Sequence, residues 1–172
     1  MDLLRIGLLA VALLIALYTD LAYRKIYNWL TYPLMGLGLG LAGGEVIFSD
    51  DWMYLYPAML GLGLSLFIFL VPCLLGWLGG GDLKLFMGIG CLQGAPFDHM
   101  FMFSSIYYVS LVGAIMAMLV LIWRGRLLNG LLGSFKLLVK PKQKNADDEV
   151  QRIPYGVAIS LGTFWTMFVN LS

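Results

Sequence analysis

Uninterrupted apolar windows dominate the chain. Trp52 to Gly81 and Met100 to Trp123 carry no charged residue, and Ile26 to Gly44 and Ile153 to Ser172 are equally uncharged. About 20 apolar residues cross a bilayer as a helix, so each of these predicts a span. Leu3 to Tyr23 predicts another, with Asp20 near its end, and Leu85 to Phe97 a shorter, partial or tilted one. The expected fold is all-α: one polytopic membrane bundle of six transmembrane helices covering residues 1–172.

Composition agrees. The 172 residues are 60% hydrophobic and 12% charged, about half the charge that covers a water-soluble domain. The apolar content also excludes disorder. Net charge is +1, without the basic surface that nucleic acid requires. Cys73 and Cys91 sit in apolar runs with no CxxC spacing, so they read as packing residues.

Loop charges orient the bundle. Arg24 and Lys25 follow the first apolar run, which marks a retained helix and places the first loop in the cytoplasm. Glu45, Asp50 and Asp51 put the second loop outside, Gly79 to Lys84 returns inside, and Pro96 to His99 lies outside. Residues 124–152 hold seven Lys/Arg and form a cytoplasmic loop, leaving both termini outside. In that loop Leu128, Leu131, Leu132, Phe135, Leu138 and Val139 fall at helical spacing. They read either as an amphipathic helix on the inner membrane surface or as part of a solvated basic segment. Gly36, Gly40 and Gly44, with Gly61 and Gly63, read as packing seams between helices.

Eight of the ten acids belong to loops or termini; Asp20 and Asp82 lie at membrane boundaries, both at the cytoplasmic side. Acids at such positions face a cavity or a partner. Arg24 one turn from Asp20, and Lys84 beside Asp82, offer simple ion pairs. A shared site is the other reading. Gly79, Gly80 and Gly81 precede Asp82, leaving a backbone open to positive φ and to approach by an extended peptide. Two converging carboxyls hold one proton between them, so one can activate water while the other polarises a carbonyl. That chemistry needs no metal or cofactor. The one histidine, His99, is expected on the outer side, remote from both acids. Using the same two acids as ion or proton ligands would instead make a small transporter component.

Three segments carry a family resemblance: Asp20-Leu21-Ala22-Tyr23-Arg24-Lys25-Ile26-Tyr27-Asn28, Gly79-Gly80-Gly81-Asp82-Leu83-Lys84-Leu85, and Ile153-Pro154-Tyr155-Gly156-Val157-Ala158-Ile159. They resemble the type IV prepilin peptidases, membrane aspartic proteases of the GxGD class, in their short Tad/Flp or preflagellin-peptidase-like forms. Tyr27 and Val157 stand where the family usually has proline. The resemblance implies Asp20 and Asp82 as the catalytic pair, with Gly79, Gly81 and Lys84 in the substrate-binding loop. It implies a prepilin-like substrate whose basic leader is removed at the inner membrane interface. The CxxC-bearing insert of the longer, methylating members is not among these residues, so only peptidase activity is implied.

Overall fold

The computed structural model describes residues 2–75, 78–92, 101–123 and 155–171. Among these there are six α-helices: α1 (Asp2–Tyr23), α2 (Asn28–Ser49), α3 (Leu55–Leu74), α4 (Gly80–Cys91), α5 (Phe101–Trp123) and α6 (Tyr155–Leu171), with a 3-10 turn at Trp52–Tyr54. Away from their ends, helices pair their backbone groups internally, as lipid requires. Leu3–Tyr23, Asn28–Ser49 and Trp52–Leu74 are long and apolar enough to cross a membrane by length and composition; Phe101–Met116 and Tyr155–Val169 are shorter apolar stretches. The 12 residues of α4 span about 18 Å, short of a hydrocarbon core of about 30 Å. The protein is a helical membrane bundle.

Its core joins Leu9, Leu13 and Ala16 of α1 to Leu30 and Leu34 of α2, Phe86 and Ile89 of α4, and Ile159 of α6. Large apolar side chains such as Val11, Leu14, Phe67 and Phe168 face outward. In water they would make an extensive sticky surface; against lipid they are the expected exterior.

The short α4 lies between α2 and α3, while α6 packs on α1 and α5. Glycine permits the closest approaches. A Cβ at Gly90 would collide with the Gly61 carbonyl oxygen, one at Gly38 would stand 2.6 Å from the Cys91 backbone, and one at Gly162 would stand 2.6 Å from Val109 Cα. Across α3 and α4, the Ser65 hydroxyl donates to the Phe86 carbonyl at 3.1 Å.

The glycine seams differ from expectation. Among the described residues, a Cβ at Gly36, Gly40, Gly44 or Gly63 would meet nothing within 4 Å. The α2 contact runs through Gly38 because α4 docks on that face; Gly61 does belong to a seam. Glu45 also differs: α2 continues to Ser49, so Glu45 is helical and pairs with Arg5 of α1 at 2.6 Å. The turn between α2 and α3 begins at Asp50, in the left-handed region at φ 52°, and Asp51 caps the 3-10 turn by accepting from Met53 N–H at 2.9 Å. The amphipathic stripe at 128–139, the rest of the 124–152 loop, Pro96 to His99, and Ile153 and Pro154 lie outside the described residues.

Candidate active site

Asp20 lies in the last turn of α1 and is 4% exposed. Its Oδ2 accepts the Val157 N–H at 3.0 Å, and the Gly156 N–H also bonds this carboxylate. Both donors belong to the first turn of α6, where backbone N–H groups have no intrahelical partner. Arg24 acts on Asp20 electrostatically, so the expected i, i+4 attraction is present. The hydrogen bonds that hold the carboxylate nonetheless come from α6.

Asp82 occupies the first turn of α4. Its Oδ2 accepts the Gly79 N–H at 3.0 Å, while the Gly79 carbonyl accepts from Asp82 N–H at 3.1 Å and Leu83 N–H at 3.2 Å. This is a reciprocal helix cap. Tyr155, at the start of α6, lies close enough to Asp82 for their charges to interact. Both acids thus act on the first turn of α6, Asp20 by hydrogen bonds at Gly156 and Val157 and Asp82 electrostatically at Tyr155.

Ile26 ties these pieces together. A Cβ at Gly81 would stand 2.9 Å from the Ile26 carbonyl oxygen, and one at Gly156 would stand 2.9 Å from Ile26 Cδ1. One residue of the α1–α2 connection thus touches both glycines that flank the acids. The open glycine backbone expected before Asp82 is not present: Gly79 is extended at φ −72°, and Gly80 and Gly81 are already helical. Gly81 matters through close approach to Ile26 rather than through positive φ.

Lys84 points its ammonium at α2, donating to Asn28 Oδ1 at 3.0 Å and lying 4.8 Å from the Tyr32 ring centroid. It clamps α4 to α2 one half-turn beyond Asp82. Sequence reasoning assigned no role to Ile26, Asn28, Tyr155 or the Val157 N–H, although all four fall within the three quoted segments. Among the described residues no group of three or more His, Cys, Asp or Glu side chains is placed to hold a metal ion.

Beyond Tyr155 and Phe86 a cleft of about 290 Å³ opens between the α3–α4 pair and the α5–α6 pair. The Phe69 and Phe86 rings, stacked with centroids 4.2 Å apart, line one wall.

Residues 7–122 match the type IV leader peptidase family. The chain is 34% identical over 92 residues to the prepilin peptidase EppA of Methanothermobacter thermautotrophicus, covering 53% of this chain and 24% of that protein. It is 36% identical over 83 residues to a preflagellin peptidase of Methanocaldococcus jannaschii, covering 48% of this chain and 35% of that protein. The matches thus span about a quarter and a third of the relatives' own lengths. No solved structure matches the chain. With more than half of its residues inside the family match, which takes in both Asp20 and Asp82, the chain belongs to the type IV leader peptidase family.

Proposed function

We propose that the protein is a membrane aspartic endopeptidase of the GxGD type that removes the short basic leader of prepilin-like proteins. Asp20 and Asp82 are the catalytic pair. The observation that carries this reading is that Ile26 packs against both Gly81, next to Asp82, and Gly156, whose neighbour Val157 donates to Asp20, which brings the acid-bearing ends of α1 and α4 to the start of α6. In the reaction one carboxylate takes a proton from water as the oxygen attacks the peptide carbonyl. The other gives its proton to the carbonyl oxygen. Collapse of the tetrahedral intermediate then breaks the C–N bond, and the leaving nitrogen takes a proton from the dyad. Gly79 and Gly81 set the position of Asp82, and Lys84 keeps α4 on α2.

Orientation follows from the loop charges. With Arg24 and Lys25 cytoplasmic, the acid ends of α1, α4 and α6 lie at the inner interface of the cytoplasmic membrane, and both ends of the chain lie outside. A basic leader approaches from that side, and the apolar helix behind it lies in the bilayer. The substrates of the two named relatives support a prepilin-like protein as the partner.

The test is co-expression with a prepilin-like substrate, scored by leader loss on a gel. Asp20→Asn and Asp82→Asn keep the side-chain shape and remove the ionisable group. Each should reduce cleavage by about 10²–10⁴-fold at unchanged protein abundance. Near-normal cleavage by either variant would make that acid structural.

A further inference from the structure

The cleft between the two helix pairs is lined by Tyr155 at the start of α6 and reaches residues one turn further along α4 and α6. Phe86 follows Asp82 by one helical turn, and Ile159 follows Tyr155 by one turn; both line the cleft. The N-termini of α4 and α6 lie at the same end, joined through Ile26, so both offsets run the same way, about 5 to 6 Å further into the bundle. The lining is almost wholly apolar, with Phe69 and Pro72 on one side and Val109 and Gly113 on the other. It also follows the weakest internal boundary: α4 is packed mainly on α2 and α3, and α6 mainly on α5 and α1.

Resting on the peptidase reading, we propose that this cleft seats the first apolar turn of the substrate's own transmembrane helix, directly downstream of the scissile bond. A bond held at Asp20 and Asp82 puts the next few residues about one turn deeper, at the level of Phe86 and Ile159. An apolar helix entering sideways between α3 and α5 meets an apolar wall there, while its leader stays at the polar end. The cleft thereby selects large apolar side chains after the cleavage point.

Gly113 gives the means of testing this. A Cβ there would make only an ordinary 3.9 Å contact with Ala158 Cβ, so the backbone accepts a side chain that narrows the cleft. Two test substrates are needed, each with a Lys-rich leader ending in glycine followed by one apolar helix. They differ in carrying Leu and Phe, or only Ala, in the first turn after the glycine. Gly113→Leu should raise KM about tenfold for the Leu/Phe substrate and leave the Ala substrate within about twofold of wild type. Equal losses on both, or none on either, would overturn the proposal.

A second measurement does not depend on turnover. In an Asp82→Asn background with Cys73→Ala and Cys91→Ala, Gly113→Cys should cross-link through a bismaleimide to a cysteine in the first apolar turn of the substrate. A cysteine two turns further on should react less. Equal cross-linking at both positions would place the substrate elsewhere. A wild-type protein that cleaves neither substrate would refute the peptidase reading itself, whereas cleavage without size selection or position-dependent cross-linking would refute only the cleft.

Discussion

Gly156→Ala separates the position of Asp20 from its chemistry. The added Cβ would lie 2.8 Å from Asp20 Oδ2, and 2.9 Å from both Asp20 Cγ and Ile26 Cδ1. Non-bonded carbons prefer about 3.5–4.0 Å, so the shortfall is roughly 0.6 Å or more. All three atoms are at or near the ends of side chains, which lets them yield without moving a helix. The carboxylate therefore shifts by something on the order of 0.5–1 Å, away from the Val157 N–H that now sits 3.0 Å from it. Losing that bond costs about 1–3 kcal/mol of stability, while a catalytic group misplaced by about 1 Å costs on the order of 10²-fold in rate. The expected result is a protein that inserts and accumulates but cleaves about 10–100 times more slowly. Leader cleavage is measured at matched enzyme levels, with Gly36→Ala as the control because a Cβ there meets nothing within 4 Å among the described residues. Gly156→Ala cleaving within twofold of the control, or losing activity only in proportion to abundance, would refute the reasoning.

Val157→Pro removes the same N–H without adding bulk at Gly156, and proline is tolerated in a first helical turn. Because the family this chain resembles usually has proline here, the Gly156 N–H should suffice to hold Asp20, and cleavage should stay close to wild type with little change in thermal stability in detergent; a large loss of cleavage would make the Val157 N–H the bond that positions Asp20. Arg5→Met should destabilise the bundle by about 3–5 kcal/mol, because it leaves the Glu45 carboxylate largely buried without its cation. Arg5→Met combined with Glu45→Gln should recover most of that loss in a melting experiment; a double variant no more stable than the single would place the role of Arg5 in packing.

The helices were legible because an uncharged window of about 20 residues has few structural alternatives, and the two acids because so few charges interrupt those windows. What escaped depends on pairings between distant segments. Arg5 is fully buried and its partner Glu45, 13% exposed, is 40 residues away, so neither residue alone marks the pair. Among the described residues Arg5 Nε and Nη1 are buried with no hydrogen-bond partner, and Glu45 is the acid that compensates its charge. The α2 glycine stripe misled for a geometric reason. Gly38 is two residues from Gly36 and from Gly40, about 200° around the helix, so the face that receives α4 is nearly opposite the GxxxG face. Spacing identified where helices can approach closely, without identifying the side a neighbour takes.

The glycines beside the acids have a common physical origin. A carboxylate on an apolar helix cannot be held by the interior of another helix, because those N–H groups are already bonded to carbonyls four residues back. Only the first turn of a helix has donors to spare. Asp82 uses the Gly79 N–H at the start of its own helix, and Asp20, at the end of α1, uses the start of α6. Bringing such a donor within about 3 Å of a carboxylate crowds the residues around it. A Cβ at Gly79 would stand 2.8 Å from Asp82 Oδ2, the same distance that separates a Cβ at Gly156 from Asp20 Oδ2. The two motifs are far apart in sequence and their helices differ in length, yet they meet the same steric demand. At each acid, glycine leaves the room in which the carboxylate lies against the start of a helix.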